Sequence, residues 1–167
     1  MTTPLSKNKK TALMVAKETA IISGEYILSR FNTDLDISFK GRTDIVTDAD
    51  THSEELAITH LNAEYPDHNI LSEESDPFDQ GSDYTWIIDP IDGTKNYAAG
   101  IPHFCVVVAL GKMDPATRTI DIITGVTFDP VRNEMFTAVK GEGAYLNGKP
   151  IKISSKSKLL DSILGFD

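Results

Sequence analysis

The fold of this chain is restricted most strongly by an apolar stretch that runs directly into two carboxylates. The stretch reads Trp86-Ile87-Ile88-Asp89-Pro90-Ile91-Asp92-Gly93, followed by Thr94. Pro90 has no N–H group and a fixed φ angle, so we expect it to end the hydrogen-bond ladder of the strand between the two aspartates. Asp89, Asp92 and the Ile91 carbonyl can then face one point, and such oxygen ligands suit a hard cation such as Mg²⁺.

The residues that follow this stretch are suited to an anion. Gly93 allows the backbone to approach a ligand closely. The amide groups from Gly93 onward lack partners if a helical turn begins there, and such amides bind phosphate. Metal ligands beside a phosphate cradle indicate phosphoryl chemistry.

Composition restricts the class of protein. With 167 residues, of which 40% are hydrophobic, the chain is long enough for one soluble domain with its own core. Its net charge of −9 argues against a nucleic-acid groove, which needs basic surface to displace counterions.

The single cysteine, Cys105, excludes an internal disulfide and is predicted to be a small core residue, which fits a reducing cytoplasm. We expect no membrane association, because no apolar run is long enough for a signal peptide or a membrane span.

Apolar spacing predicts helices first and strands afterwards. Residues 5–31 and 49–65 carry apolar side chains at helical intervals, and Pro66 ends the second helix. Strands are predicted at residues 34–39, 69–71, 84–88, 104–110, 119–128, 134–139, 144–146 and 151–153. Asn147-Gly148 predicts a two-residue hairpin, because a type I′ turn needs a positive φ at both positions.

These elements predict an α+β fold. Successive strands joined by short turns should pair antiparallel, and both helices should pack on one face of the largely antiparallel sheet. We expect residues 1–160 to form this N-terminal domain. Residues 161–167 begin a further apolar strand, which we expect to be the start of a C-terminal domain that is truncated within this sequence.

Three further blocks of residues accompany the motif Asp89-Pro90-Ile91-Asp92-Gly93-Thr94. They are Lys40 with Asp44-Ile45-Val46-Thr47-Asp48-Ala49-Asp50, then Leu71-Ser72-Glu73-Glu74-Ser75, and Gly141-Glu142-Gly143-Ala144-Tyr145-Leu146-Asn147-Gly148. In their order and spacing, the four blocks resemble the inositol monophosphatase family of metal-dependent phosphatases. The resemblance covers almost the whole chain but only the first part of a family member. The family's W-D-x-A-A-G block, with a further metal-binding aspartate, and its second α/β half are not in this sequence.

The resemblance implies a layered α/β sandwich and a Mg²⁺-dependent, often lithium-sensitive phosphomonoesterase that is commonly a homodimer at full length. Its substrate would be a small phosphorylated polyol such as inositol 1-phosphate, hydrolysed by metal-activated water. The residues carried over as metal ligands are Glu73, Asp89, Ile91 through its carbonyl, and Asp92. Those carried over to the attacking water are Glu73, Thr94 and Asp50, and those that face the substrate phosphate are Gly93, Thr94, Asp92 and Lys40.

Simpler interpretations stay open for several of these residues. Asp89 and Asp92 could cap a turn at the end of a strand, and Asp50 could be an acidic residue in the first turn of a helix. The four histidines have no spacing typical of a zinc site, and no role is assigned to them. Ordinary surface or turn positions would explain Glu73, Glu74, Lys40, Asp44 and Lys95.

Two other functions also stay open. The same chemistry could act on a 3′(2′),5′-bisphosphate nucleotide, on histidinol phosphate or on fructose 1,6-bisphosphate. The chain could instead be an inactive fragment that binds cations only, or that pairs with a subunit supplying the second half.

Overall fold

Helices precede strands in the computed structural model, which describes residues 3–39 and 45–163. In chain order the elements are α1 (Ala12–Arg30), β1 (Ile37–Phe39), β2 (Ile45–Thr47), α2 (Asp48–Glu64), β3 (Asn69–Ser72), β4 (Tyr84–Asp92), α3 (Thr94–Ala98), β5 (Cys105–Asp114), β6 (Thr119–Asp129), β7 (Glu134–Val139), β8 (Gly143–Leu146) and β9 (Lys149–Ile151). This is the α+β order that the sequence predicted. Among the described residues, no helix combines the length and apolarity needed to cross a membrane.

Within these ranges, β3 to β9 form one seven-stranded sheet in sequence order, and β1 pairs separately with β2. Neighbours from β4 to β9 are antiparallel, as predicted. Asn147 and Gly148 have the positive φ angles, 48° and 76°, that the predicted hairpin requires. β3 and β4, which no short turn joins, are the exception in this largely antiparallel sheet and pair in parallel. Their connection over residues 73–83 is a crossover rather than a tight turn, and parallel strands need such a connection.

The two long helices pack on one face of this sheet, as predicted. Ile88 of β4 and Val108 of β5 face each other across the ladder, and both are buried beneath the helices. α2 contacts β4, whereas α1 contacts β5 and β6. Gly24 of α1 allows the close approach, because a Cβ atom at this position would lie 2.5 Å from a ring carbon of Phe128. Helix packing therefore covers the centre of the sheet, from β4 to β6.

α1 is shorter than the helix predicted over residues 5–31. It begins after Thr11, whose hydroxyl accepts a backbone hydrogen bond at 3.3 Å. The residues before this cap form a turn in which Lys9 has a φ of 62°. Lys10 attaches the turn to the end of α2 through a salt bridge with Glu64 at 3.0 Å. The cap, rather than the apolar spacing, therefore sets the start of the helix.

Candidate functional site

β4 is longer than predicted, because it continues past Ile88 and through Pro90, whereas its regular ladder to β5 is interrupted after Asp89, as the proline predicted. The strand reaches Asp92, and its pairing with β5 is irregular between Asp89 and Asp92. Pro90 lies inside this bulge, where its missing N–H group removes no ladder bond. On the other side of β4, β3 has already ended at Ser72. A bulged strand end therefore holds both aspartates.

Most of the predicted site residues line one depression at this end of β4. The depression has a volume of about 370 Å³, and its walls are Ile45, Glu73, Asp89, Ile91, Asp92, Gly93, Thr94, Lys95 and Asn96. All the predicted metal ligands are among them. Within residues 3–39 and 45–163, however, no three acidic, histidine or cysteine side chains converge on one point as a preformed cation site. The carboxylates share a depression without surrounding a common centre.

Asp89 lies in an environment that disfavours its negative charge. Burial raises the pKa of its carboxyl group, and the negative charges of Glu73 and Asp92 raise it further, to about 7. Its Oδ1 atom is buried and has no hydrogen-bond partner among the described residues. Leaving a buried oxygen unpaired is costly, and a bound cation would pair with it. The donor set, all carboxylate and carbonyl oxygen, fits a divalent cation such as Mg²⁺.

Thr94 connects the depression to α2. Its hydroxyl oxygen lies 3.0 Å from Asp50 Oδ1 and 3.0 Å from the Ile91 carbonyl oxygen. The hydroxyl carries one proton, so it donates to one of these acceptors at a time. When it donates to Asp50, the Ile91 carbonyl keeps its lone pairs for a cation.

Asp50 also has the structural role that the simpler interpretation gave it. Its Oδ2 atom accepts hydrogen bonds from the Thr47 amide at 2.9 Å and from the Thr47 hydroxyl at 2.6 Å, which completes a capping box at the start of α2. Burial raises the pKa of Asp50, and the hydrogen bonds from Thr47 and Thr94 oppose this shift. One carboxylate thus caps a helix through one oxygen and meets Thr94 through the other.

The backbone at the end of β4 requires glycine at position 93. Gly93 has a φ of 99°, and a Cβ atom there would lie 2.9 Å from the His103 carbonyl oxygen. The short helix α3 begins immediately afterwards at Thr94, so its first amides have no partners within the helix. These amides border the depression where the resemblance places a phosphate group.

Glu73 and Glu74 occupy different environments. Glu73 is exposed and lines the depression, whereas Glu74 is half-buried. The Glu74 amide donates to Glu54 of α2 at 3.0 Å, and the Ser72 hydroxyl donates to the same oxygen of Glu54. The chain is therefore attached to α2 on both sides of Glu73.

Sequence reasoning missed two α2 residues that support the walls of the depression. The Ser53 hydroxyl donates to the Pro90 carbonyl at 3.4 Å, and Glu54 accepts the two hydrogen bonds just described. Both side chains are buried. They follow Asp50 by three and four positions, and this spacing places all three on one face of the helix. That spacing was the signal available in the sequence.

Cys105 is not in the core, contrary to the prediction. It is half-buried, and its Sγ atom lies 3.6 Å from Asp92 Oδ2. Side chains alternate along β5, so Val106 faces the helices and Cys105 faces the other side. Burial raises the pKa of the thiol to about 12, and the charge of Asp92 acts in the same direction. The thiol is therefore a protonated neighbour of a predicted metal ligand.

Of Lys40 and Lys95, the structure describes only Lys95. Lys95 is exposed at the rim of the depression, as the simpler interpretation expected. Lys40 and Asp44 lie outside the described residues. The described walls of the depression therefore consist mainly of acidic, hydroxyl and backbone groups.

Comparisons with known proteins identify relatives of this chain. A model of the inositol monophosphatase family matches residues 8–166. Inositol monophosphatase 1 of Solanum lycopersicum is 41% identical over 159 residues, covering 92% of this chain and 55% of the relative. Nus factor SuhB of Haemophilus influenzae is 44% identical over 126 residues, covering 75% of this chain and 45% of the relative. The chain thus spans about half the length of the curated relatives it matches.

A solved structure shows that the likeness extends to the fold. The crystal structure of extragenic suppressor protein suhB from Bartonella henselae superposes with a TM-score of 0.81 at 32% sequence identity. The superposition covers 87% of this chain and 56% of that chain. The described fold therefore corresponds to about half of a longer protein of known structure.

Proposed function

The chain belongs to the inositol monophosphatase family, and on this premise we propose that it carries the cation-binding part of a Mg²⁺-dependent phosphomonoesterase. The substrate would be a small phosphorylated polyol such as inositol 1-phosphate. The observation that carries the proposal is the shared depression of Glu73, Asp89 and Asp92 beside the hydrogen-bonded pair of Thr94 and Asp50. Three carboxylates beside an oriented hydroxyl suit phosphate-ester hydrolysis better than a purely structural role.

Under this proposal Glu73, Asp89, Asp92 and the Ile91 carbonyl hold Mg²⁺. The unpartnered Oδ1 atom of Asp89 supports this assignment. When bound, the cation would neutralise charge on the phosphate oxygens and polarise the attacking water. A bound cation would also offset the charges of Glu73 and Asp92, which add to burial in raising the pKa of Asp89.

Thr94 and Asp50 orient the attacking water in this proposal. The Thr94 hydroxyl donates a hydrogen bond to Asp50, so its lone pairs point away from that bond and can accept a hydrogen bond from the attacking water. The amides of Gly93 and Thr94 would hold the phosphate, and Asp92 would hold, with Asp89, the cation that faces the departing oxygen. Lys40 would add a positive charge near the phosphate.

The organisation of the whole protein is part of the same proposal. We propose that residues 1–160 form the N-terminal unit of a longer, homodimeric protein of the cytoplasm. Its second unit would supply further contacts to the substrate. The net charge of −9 favours a small-molecule substrate over nucleic acid.

The proposal is tested by titrating Mg²⁺ into the 167-residue chain by calorimetry and assaying phosphate release from inositol 1-phosphate. We expect saturable binding, weakened at least ~10-fold in Asp92→Asn, a loss typical even of the outer partners of metal ligands. Asp121→Asn, which changes an exposed aspartate on β6, is the matched control and should bind as the wild type does. A chain that binds no Mg²⁺, or that hydrolyses the ester without it, would refute the proposal.

A second candidate is a cation-binding unit that has no turnover of its own. The length of the chain, about half that of its curated relatives, favours it. Saturable Mg²⁺ binding without phosphate release would support this candidate.

If the chain releases phosphate, the ester it prefers remains to be identified. Rates measured side by side with inositol 1-phosphate, an adenosine 3′,5′-bisphosphate, histidinol phosphate and fructose 1,6-bisphosphate would decide. A clear preference for one of the last three would replace the polyol as the proposed substrate.

A further inference from the structure

We infer that Glu54 is a positioning residue that holds Glu73 at the depression. The inference rests on the proposed function, since it gives Glu54 a part in cation binding. Glu73 is the first residue after β3, whose last ladder pair is Ser72 opposite Ile88. The parallel ladder therefore stops one residue before the carboxylate that must be held in place.

Glu54 provides attachment where the ladder stops. One oxygen, Oε2, accepts a hydrogen bond from the Ser72 hydroxyl and another from the Glu74 amide at 3.0 Å. These donors belong to the residues on either side of Glu73, so both ends of its backbone unit are attached to α2. With its neighbours attached, the backbone at Glu73 is held in place beside the depression that its exposed side chain lines.

The environment of Glu54 argues against a role in packing alone. Its relative exposure is 4%, and among the ion pairs of the described residues none includes it. A buried carboxyl group without a cationic partner is unfavourable for folding, and an apolar side chain would fill the same space at lower cost. The Ser72 hydroxyl and the Glu74 amide both point their donor groups here, on either side of Glu73, so this position needs a hydrogen-bond acceptor.

Glu64 provides a contrast on the same helix. It is equally buried, at 4% exposure, but its Oε1 atom pairs with Lys10 at 3.0 Å and accepts a hydrogen bond from Asn8 at 3.1 Å, and neither partner lines the depression. Its contacts tie the N-terminal turn to α2. The two glutamates thus share helix, burial and chemistry, and only Glu54 contacts the site.

Glu54 acts as one of three contacts made by a single face of α2. Asp50 holds Thr94 at 3.0 Å, Ser53 meets the Pro90 carbonyl at 3.4 Å, and Glu54 holds the residues around Glu73. A helix is stiff over one turn, so it fixes these three segments relative to one another. The hydrogen bonds that hold the segments carrying the proposed metal ligands are therefore made by the first two turns of α2.

The first test measures backbone order in the absence of any metal. Hydrogen exchange at the Glu74 amide is compared between the wild-type chain, Glu54→Met, Glu54→Gln and Glu64→Met. We expect exchange at least ~10-fold faster in Glu54→Met, which has no acceptor, and near-wild-type exchange in Glu54→Gln, whose side-chain oxygen can accept both bonds. Glu64→Met should destabilise the chain without changing this amide selectively.

The second test measures Mn²⁺ affinity of the same variants by electron paramagnetic resonance of the free ion. We expect Glu54→Met to bind ~10–100-fold more weakly, as outer partners of metal ligands do when removed, and Glu64→Met to bind as the wild type does. Glu54→Gln should stay within about 3-fold of the wild type. If Glu54→Met does not fold, Glu54→Asp, which is too short to reach both donors, should show the same loss.

The outcomes separate this inference from the proposed function. Wild-type affinity in Glu54→Met, or in Glu54→Asp where that variant is used, would overturn the positioning role, as would unchanged exchange at the Glu74 amide. Equal losses in the Glu54 and Glu64 variants would also overturn it, because they would reflect stability alone. A wild-type chain that binds no Mn²⁺ would refute the proposed function, and the exchange measurement would then decide whether Glu54 orders the segment around Glu73.

Discussion

The two halves of β4 are neighbours in one strand, yet they are held in place by different forces. Residues 84–88 lie between β3 and β5, with Trp86 fully buried and Ile88 almost so. Residues 89–92 extend past the end of β3, pair irregularly with β5 and carry Asp89 and Asp92. Apolar burial stabilises the first half. In the second half Ile91 is still buried, but it lies between two acids that repel each other, and the Ser53 hydroxyl of α2 donates a hydrogen bond to this segment at the Pro90 carbonyl.

This difference shows how a stable strand can present an unfavourable cluster of charges. Packing around Trp86 fixes the direction of the strand, and the acidic residues follow it into the bulge that Ser53 of α2 contacts. Asp89 would not adopt its position alone, because burial and its neighbours' charges raise its pKa to about 7. The first half therefore provides the stability that the second half requires.

Trp86→Ala is expected to have the largest effect. Trp86 is fully buried, with its ring 5.4 Å from that of Tyr65, and removing a buried tryptophan typically costs about 3–5 kcal/mol. Urea unfolding followed by circular dichroism measures the loss, since Trp86 is the only tryptophan. The control Phe39→Ala removes an aromatic ring that is 72% exposed, and it should change stability by less than about 0.5 kcal/mol. Similar losses of stability in both variants would show that burial of Trp86 is not what stabilises the first half of β4.

The first half of β4 could be predicted from sequence, and physical reasons explain why. Its continuous apolar residues require burial, and the helical spacing in α1 and α2 identifies the surface that covers them. The start of α1 was missed because the capping hydroxyl of Thr11 competes with apolar spacing that continues before it. Local patterns thus determine the elements but not every boundary.

The second half could be predicted only in part. The residue types of Asp89, Asp92 and Thr94 indicated a cation and phosphate site, and the structure places them around one depression. The path through Pro90 could not be predicted, because a proline is tolerated in a strand only where its neighbours leave a bulge. Glu54 was missed because a helical glutamate is exposed by default, and its burial depends on where β3 ends.

Asp89→Asn is expected to act in the opposite direction to Trp86→Ala. At pH 8 without metal, the variant should be more stable than the wild type, because it removes a charge that its surroundings disfavour. A pKa shift from 3.8 to about 7 corresponds to at most about 4 kcal/mol, and solvent screening of this half-buried group reduces the gain to about 1–2 kcal/mol. Saturating Mg²⁺ should stabilise the wild type by ~2.7 kcal/mol at 100 times its Kd and leave the variant unchanged.

The pH dependence of stability checks the sign of this effect. Between about pH 4 and pH 7, folded Asp89 keeps a proton that the unfolded chain releases, so the free energy of unfolding of the wild type should fall as pH rises. This contribution is absent in Asp89→Asn. Urea titrations of both chains from pH 4 to pH 8 measure the difference. Parallel pH profiles would show that neither burial nor the neighbouring carboxylates raise the pKa of Asp89 in the metal-free fold.

Ser53→Ala is expected to have the smallest effect, and it tests whether α2 holds the second half of β4. The Ser53 hydroxyl is fully buried and donates to the Pro90 carbonyl at 3.4 Å, a long hydrogen bond whose loss should cost about 1 kcal/mol. Ser29→Ala, on the exposed side of α1, removes a hydroxyl that bonds only to its own helix, and it should change stability by less than about 0.5 kcal/mol. Hydrogen exchange should quicken at residues 91–93 in Ser53→Ala and stay unchanged at residues 85–88, because the ladders to β3 and β5 hold the latter. If hydrogen exchange quickened in both segments together, β4 would open as a single unit. The bulge at Pro90 would then not divide the strand into two separately stabilised halves.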